Sequence, residues 1–365
     1  MPLPEKALIG QIRRMAGSVR KKHADKSARP TPSILAGIGD DCAVLRLPAG
    51  CDLLVTTDFT LEGTHFRRDW HPPEVVGHRS LVRGLSDIAA MGGEPIAAFL
   101  SLALPRNLPQ TWVERFMRGL LRLAKKFSIT LAGGDTSESP DGILADIIVV
   151  GTAPKGKAVL RSGARPGDRI FVSGELGGSA AALVQLWATH AARRHPERSR
   201  SSGGARDLAR IGTAAHARMS PSLSGNLNPR DYPGHFYPEP RVKLGRILRE
   251  KRLATAMIDL SDGLSTDLAH ICEESGVGAE IESALIPRAY VGKPRREVDL
   301  DLALDGGEDY ELLFTAPPGK RVPSQIARVP LTCIGRITRS RKVSLRTAEG
   351  TRSELAPHGW EHFRN

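Results

Sequence analysis

The chain has 365 residues and a formal net charge of +12, with 40% hydrophobic, 25% charged and 5% aromatic residues, so its length predicts about two domains. This composition excludes collagen, coiled coil and wholesale disorder, and the four cysteines are too few for a disulfide scaffold. Because no apolar run reaches the ~18 residues of a membrane span and the first residues lack the apolar stretch of a signal peptide, we expect a cytoplasmic protein with no membrane partner.

The first 154 residues alternate between strand and helix patterns, which predicts one α/β domain over 1–154. Three helices are predicted, over 5–19, 73–91 and 109–127. The third is the clearest, because Leu120, Leu123 and Phe127 recur at helical spacing. Five strands are predicted, over 43–47, 53–57, 95–104, 129–132 and 143–151.

A second α/β domain is predicted over 155–365. Its strands are predicted over 168–173, 255–260, 279–282, 311–315 and 332–337, and its helices over 178–187, 240–251 and 264–275. Neither glycine-rich nucleotide motif, Gly-x-x-x-x-Gly-Lys-Ser/Thr or Gly-x-Gly-x-x-Gly, follows a strand where nucleotide binding would need it. Any nucleotide chemistry must therefore use another device.

A basic, low-complexity segment interrupts the second domain at about 188–230. It is rich in Arg, Ser, Gly and Ala, which predicts a long loop or a disordered insertion. This segment and residues 1–30 each carry eight basic against two acidic residues, so the rest of the chain has no net charge. A basic nucleic-acid-binding protein is the alternative from a different class. The segment has no aromatic side chain to stack on bases, so we expect no nucleic-acid partner.

Several aspartates lie beside glycine, serine or threonine at predicted strand ends and turns. They belong to the segments Gly37-Ile38-Gly39-Asp40-Asp41, Thr56-Thr57-Asp58, Leu85-Ser86-Asp87, Gly133-Gly134-Asp135-Thr136 and Asp259-Leu260-Ser261-Asp262-Gly263. Carboxylate and hydroxyl oxygens are the ligands that Mg²⁺ prefers. Each segment is also an ordinary turn or helix-capping sequence. Seven carboxylates in one cleft would require cations, but the sequence alone leaves open whether they converge.

Together with two further blocks, Glu62-Gly63-Thr64-His65-Phe66 and Gly306-Gly307-Glu308-Asp309-Tyr310-Glu311-Leu312, these segments resemble the thiamine-monophosphate kinase family. That family belongs to the aminoimidazole ribonucleotide synthetase-like superfamily. The resemblance implies a two-domain α/β (α+β) fold, with an N-terminal domain that forms the sheet of a homodimer and a C-terminal α/β domain. It also implies ATP-dependent phosphorylation of thiamine phosphate to thiamine diphosphate.

Other ATP-using members of the superfamily are the nearest alternatives. These are aminoimidazole ribonucleotide synthetase, selenophosphate synthetase and a hydrogenase maturation protein. Selenophosphate synthetase would need a reactive Cys or selenocysteine near the N-terminus, and residues 1–36 contain no Cys. The maturation protein would carry a C-terminal Cys, where this chain has Asn365. We therefore expect the thiamine phosphate activity.

The resemblance also implies roles for individual residues. Several Mg²⁺ ions would be held by Asp41, Thr56, Thr57, Asp58, Asp87, Asp135, Asp259 and Asp262, with Asp40 behind them. ATP would contact Gly134, Asp135, Arg161 and Ser261, and thiamine phosphate would contact His65, Glu308 and Trp360. No side-chain base is expected, because the acceptor phosphate is already anionic and direct in-line transfer needs only charge neutralisation and alignment. The plainer alternatives are a satisfied polar residue for His65, an exposed turn residue for Glu308, a packing aromatic for Trp360 and a surface charge for Arg161.

Overall fold

The computed structural model describes residues 1–17, 33–38, 42–194 and 227–360. The chain divides into two units, Met1–Ala158 and Val159–Asn365. Both units combine helices with a sheet, which confirms the mixed α/β class predicted from the sequence. Among the described residues, no helix is both long enough and apolar enough to span a membrane.

The first unit is built on a four-stranded sheet in the order β3-β6-β4-β5, in which only β4 and β5 run parallel. A separate antiparallel pair, β1 and β2, precedes it. The elements are α1 (Glu5–Ala16), β1 (Ser33–Ala36), β2 (Val44–Arg46), β3 (Cys51–Leu61), α2 (Pro73–Ala90), β4 (Glu94–Pro105), α3 (Gln110–Lys126), β5 (Thr130–Ser139) and β6 (Leu144–Pro154).

Strand β3 forms one edge of this sheet, and its side chains alternate between two environments. Thr56, Asp58 and their neighbours at every second position are partly or fully buried. Leu53, Val55 and Phe59 point to the other face and are 49%, 61% and 53% exposed. One face of the edge strand is therefore apolar and open.

Helices α2 and α3 pack together with their backbones in contact. A Cβ atom added to Gly119 would lie 2.0 Å from the carbonyl oxygen of Glu74, and one added to Gly77 would lie 2.0 Å from that of Phe116. Only glycine permits this approach. The close crossing fixes α2, which carries Asp87, against its neighbour.

The second unit contains a larger, mostly antiparallel sheet in the order β16-β15-β9-β14-β7-β12-β8, with β13 paired to β14. Only the pair β9 and β15 is parallel. The strands are β7 (Arg169–Ser173), β8 (Ala256–Asp259), β9 (Gly278–Glu282), β12 (Leu312–Ala316), β13 (Gln325–Ile326), β14 (Val329–Thr338), β15 (Val343–Arg346) and β16 (Arg352–Glu354), and β10 (Tyr290–Val291) pairs with β11 (Arg296–Glu297). The helices are α4 (Gly178–Arg194), α5 (Pro233–Phe236), α6 (Val242–Glu250), α7 (Leu264–Ser275) and α8 (Leu300–Asp305), with a 3₁₀ turn at Ser283–Leu285.

The start of the predicted insertion at about 188–230 overlaps the end of helix α4. Helix α4 continues to Arg194, so 188–194 belongs to the helix. The stretch after Trp187 contains three alanines, the best helix formers, and overall composition concealed this local propensity. Residues 195–226 lie outside the described residues, and the chain is described again from 227.

Candidate functional site

Three of the predicted metal ligands in the first unit lie together between β3 and α2. The hydroxyl of Thr56 donates a hydrogen bond to Asp87 Oδ2. One helical turn before Asp87, Arg83 Nη1 lies 4.0 Å from Asp58 Oδ1. Thr56 and Asp58 share a face of β3, and Arg83 and Asp87 share a face of α2. The cluster thus combines two carboxylates and a hydroxyl with one guanidinium.

Thr57 lies on the opposite face of the same strand. Its hydroxyl donates to Asp146 Oδ1 at 2.7 Å. In the sheet register Asp146 is paired with Ser101, which is paired in turn with Asp135. Thr57, Asp146 and Asp135 therefore lie on one face of the sheet, and Thr56 and Asp58 lie on the other face. Asp146 follows Ala145 and has no neighbouring glycine or serine, so no local motif predicts it as part of a site.

Asp135 is also distant from Asp58 along the sheet. Strands β3 and β5 are separated by three strand spacings, which is about 14 Å at ~4.8 Å per spacing. Within the first unit, the structure does not bring these two predicted ligands to one point. Next to Asp135, Gly134 has φ +147°, and a Cβ atom there would lie 1.8 Å from Leu100 O. Only glycine fits this position.

His65 lies in the tight loop that follows β3. The ring atom Nδ1 accepts a hydrogen bond from the backbone N–H of Leu61 at 3.0 Å. The backbone N–H of His65 donates to Leu61 O at 2.9 Å. Because Nδ1 is an acceptor, the neutral ring carries its proton on Nε2. That N–H is a suitable donor for an anionic group. Asp40 and Asp41, predicted near this unit's metal ligands, lie outside the described residues.

In the second unit, the chain turns from β8 into α7 through the segment that contains Asp259, Ser261 and Asp262. Asp259 ends the strand and is 3% exposed. Asp267, in the first turns of α7, accepts hydrogen bonds on Oδ2 from three consecutive backbone N–H groups. Burial raises the pKa of Asp267 well above its ordinary value, and the charges of Asp262 and Asp259 add to this shift.

Two predicted substrate residues are joined to this turn through the backbone. The N–H of Glu308 donates to Ser261 O at 2.8 Å, and the N–H of Trp360 donates to Asp262 O at 3.0 Å. A Cβ atom on Gly307 would lie 2.3 Å from Ser261 O, so the glycine before Glu308 permits the approach. The structure thus brings together Ser261, Asp262, Glu308 and Trp360.

Arg161 lies at the other end of the same helix. Its carbonyl oxygen accepts a hydrogen bond from Ser275 Oγ at 3.1 Å, and Ser275 is the last residue of α7. Helix α7 has 12 residues and spans about 18 Å, and it separates Arg161 from the turn that contains Ser261. Within this unit, two predicted ATP contacts are not adjacent.

The segment after Glu308 is anchored by partly buried polar contacts. Asp309 accepts hydrogen bonds from the N–H groups of Gly177 at 2.8 Å and Ser179 at 3.5 Å, at the start of α4. Burial raises the pKa of Asp309 to about 8. Glu311 Oε2 accepts from Arg241 Nε at 2.7 Å. Local sequence patterns predict no role for Asp309 and Glu311, because their partners come from distant parts of the chain.

A group with possible metal-ligand atoms occurs in the same region. In the described part of the chain, one atom each of Asp262, Asp267 and His270 lie within 4.8 Å of one another. Sequence reasoning did not select His270, although its position three residues after Asp267 on a helix places both on one face.

Comparisons with known proteins give a consistent result. Residues 39–153 match the N-terminal domain of AIR synthase related protein, and residues 165–347 match its C-terminal domain. The chain is 35% identical to thiamine-monophosphate kinase of Escherichia coli (strain K12) over 95% of this chain and 97% of that protein.

Solved structures with the same fold at higher than 30% identity include the following two. One is thiamine-monophosphate kinase from Stenotrophomonas maltophilia K279a, with a TM-score of 0.70, 33% identity and coverage of 94% of this chain and 97% of that one. The other is AaThiL complexed with AMPPCP and TMP, with a TM-score of 0.67, 31% identity and coverage of 87% and 89%. The chain therefore belongs to the thiamine-monophosphate kinase family of enzymes and has both AIR synthase related domains.

Proposed function

We propose that this protein transfers the γ-phosphoryl group of ATP to thiamine phosphate and forms thiamine diphosphate and ADP. The observation that carries the proposal is the turn of the second unit, where Ser261 and Asp262 are hydrogen-bonded to the backbones of Glu308 and Trp360. A carboxylate-rich turn is thus joined to a further carboxylate and an aromatic side chain. The 35% identity to a thiamine-monophosphate kinase and the likeness to AaThiL complexed with AMPPCP and TMP support the same reaction.

Mg²⁺ fits the residues that the two units provide. Thr56, Asp58 and Asp87 in the first unit, and Asp259 and Asp262 in the second, offer only carboxylate and hydroxyl oxygens, which are the ligands of a hard cation. The effect of Asp259 and Asp262 on the pKa of Asp267 reflects repulsion between carboxylates that a divalent ion would relieve. When bound, Mg²⁺ neutralises phosphate charge and aligns the reacting groups.

The acceptor residues have suitable chemistry for thiamine phosphate. A carboxylate such as Glu308 attracts a cationic thiazolium ring, and the indole face of Trp360 suits stacking on a cation. In this proposal His65, protonated on Nε2, donates to a phosphate oxygen of the substrate. The acceptor phosphate is itself the nucleophile and is anionic at neutral pH, so the transfer is direct and uses no side-chain base.

We propose that ATP contacts Gly134, Asp135, Arg161 and Ser261. Gly134 leaves room for a phosphate close to the backbone. Arg161 and Ser261 lie about a helix length apart, so in this proposal they contact different parts of the nucleotide. Thr57, on the opposite face of β3 from Thr56, supplies an oxygen to a different ion.

We also propose that the active form is a cytoplasmic homodimer. Strand β3 is the edge of its sheet in the described part of the chain, and its open face exposes Leu53, Val55 and Phe59. An edge strand with an apolar face is a surface that a second copy can cover.

Incubation of the purified protein with ATP, MgCl₂ and thiamine phosphate tests the reaction. We expect thiamine diphosphate and ADP in equal amounts, resolved by chromatography. Parallel incubations replace thiamine phosphate with free thiamine, with the precursor of aminoimidazole ribonucleotide, or with selenide. Phosphorylation of free thiamine alone, AMP as the nucleotide product, or turnover only with one of the other superfamily substrates would overturn the proposal.

A further inference from the structure

The turn between β8 and α7 is organised around a single oxygen atom. Oδ2 of Asp267 accepts the backbone N–H groups of Ser261 at 3.1 Å, Asp262 at 3.2 Å and Gly263 at 3.2 Å. The N–H of Asp267 donates back to Gly263 O at 2.9 Å. Asp267 is 1% exposed, so water cannot readily replace it as the acceptor. Each of these donors would be left without its partner if this oxygen were removed.

The same turn controls the position of a substrate residue. Asp262 O accepts the N–H of Trp360 at 3.0 Å, and Thr266 Oγ1 accepts the N–H of Gly359 at 3.0 Å. Any change in the path of the turn is therefore transmitted to the segment that carries Trp360. Asp267, the residue after Thr266, is buried and holds the turn through the three amides that donate to its Oδ2.

We propose that Asp267 is a positioning residue of the kinase, which fixes the turn carrying Asp259, Ser261 and Asp262 and, through Asp262 O, the segment of Trp360. This inference rests on the proposed function, because it assigns Asp267 a part in that reaction. Asp267 acts through the hydrogen-bond acceptor that it offers to three amides. It does not touch the reacting groups.

Two other roles for Asp267 must be distinguished from this one. The proximity of Asp262, Asp267 and His270 would also allow Asp267 to ligate a cation directly. Alternatively, Asp267 would only stabilise the start of α7, as side chains that reach back to a helix N-terminus do. Asp267→Asn and Asp267→Ala separate the roles, because asparagine keeps an acceptor oxygen but loses the charge, whereas alanine loses both.

If Asp267 positions the turn, Asp267→Asn should keep kcat and Mn²⁺ affinity within about threefold of wild type. Asp267→Ala should lower kcat/KM for thiamine phosphate by at least about 30-fold and weaken Mn²⁺ binding by about tenfold. Mn²⁺ binding is measured by electron paramagnetic resonance without nucleotide. Hydrogen exchange followed by mass spectrometry should show faster exchange in the peptide 258–264 of Asp267→Ala alone.

Ile281→Ala is the matched control, because Ile281 is a fully buried residue of β9 in the same unit and its loss lowers stability through a cavity. We expect this variant to have a lower melting temperature and unchanged Mn²⁺ affinity.

If Asp267→Asn loses Mn²⁺ affinity as severely as Asp267→Ala, Asp267 ligates the cation directly and the positioning role is wrong. If Asp267→Ala matches Ile281→Ala in Mn²⁺ affinity, KM and exchange of 258–264, the role is structural only and the proposal is wrong. A wild-type protein that binds Mn²⁺ but forms no thiamine diphosphate would overturn the proposed function. The Mn²⁺ binding and hydrogen exchange of the Asp267 variants would still test whether Asp267 positions the turn.

Discussion

Asp87 and Asp309 differ in what surrounds their carboxylates. Asp87 is half-buried on α2 and accepts a hydroxyl hydrogen bond from Thr56. Asp309 is partly buried and accepts backbone N–H groups at the start of α4, and desolvation raises its pKa to about 8. The surroundings of Asp87 suit a charged ligand, whereas burial favours the neutral form of Asp309. Substitution by asparagine should therefore affect the two sites in different ways.

For Asp87, asparagine keeps an acceptor for Thr56 but removes the charge. If Asp87 ligates Mg²⁺, turnover by Asp87→Asn should fall at least ~100-fold, or ~2.7 kcal/mol in the barrier. The metal-free melting temperature should be equal or higher, because fewer carboxylates then repel one another near Asp58. Asp141→Asn, at an exposed turn of the same unit, is the control and should behave as wild type. Near wild-type turnover of folded Asp87→Asn at saturating Mg²⁺ would reject the ligand role.

For Asp309, the expected effect is on the pH dependence of stability. Its pKa rises from an ordinary 3.8 to about 8 on folding, so between these pH values the folded state holds a proton that the unfolded state has lost. Stability from this group is complete below about pH 4 and is lost as pH rises to about 8, by at most ~1.4 kcal/mol per pH unit. Asp309→Asn has no such proton, so its melting temperature minus that of wild type should increase from pH 5 to pH 8. A constant difference across thermal melts at these pH values would contradict the shifted pKa.

The sequence located the carboxylate turn but not the residues that shape it. Asp259 and Asp262 stand beside serine and glycine in a recognisable local pattern, and the structure joins their turn to Glu308 and Trp360. The role of Asp309 depends on amides more than 100 residues away. A local sequence pattern cannot predict partners that are distant in the chain, because only folding brings them close to Asp309.

At the scale of whole elements, some long elements were predicted closely and others were not: β5, predicted over 129–132, is observed as Thr130–Ser139. Helix α7 has the predicted bounds, and the strand predicted over 95–104 is observed as Glu94–Pro105. Strands such as β10 and β13 have only two residues, too few for a periodicity to appear. The end of α4 differs from the predicted one because the alanines after Trp187 lie within a segment whose overall composition is Arg-rich.

This boundary changes how the insertion should be tested. Replacement of 195–226 by a short Gly/Ser linker should leave turnover and melting temperature nearly unchanged, because the Arg-, Ser- and Gly-rich composition cannot bury enough apolar surface to offset ordering entropy. Replacement of 188–230 also removes the last turns of α4 and the start of the segment that leads to α5, so it should lower the melting temperature. Calorimetry and the kinase assay compare the two. A large loss in the shorter replacement would show that 195–226 contributes to the core or the site.

Taken as a whole, the chain matches two domain models in succession and relatives over nearly their full length. Each unit supplies its own group of carboxylates, on β3 and α2 in the first and between β8 and α7 in the second. The resemblance of ordered motifs predicted this organisation more securely than any single motif did. The strand register alone shows that the carboxylates of the first unit divide between two faces of a sheet, because successive side chains of a strand point to opposite faces.

The assembly of two chains is the last prediction. If the open face of β3 forms the dimer interface, light scattering should give about twice the 39.4 kDa chain mass at micromolar concentration. Val55→Asp places a charge on a residue that is 61% exposed, so it should cost the isolated chain less than about 0.5 kcal/mol. Burial of that charge in an interface would be strongly unfavourable, so the variant should run as a monomer. Leu285→Asp, at an exposed apolar residue of the second unit, is the matched control and should remain dimeric. A wild-type monomer with full activity, or a dimer that persists in Val55→Asp, would refute an interface through this strand.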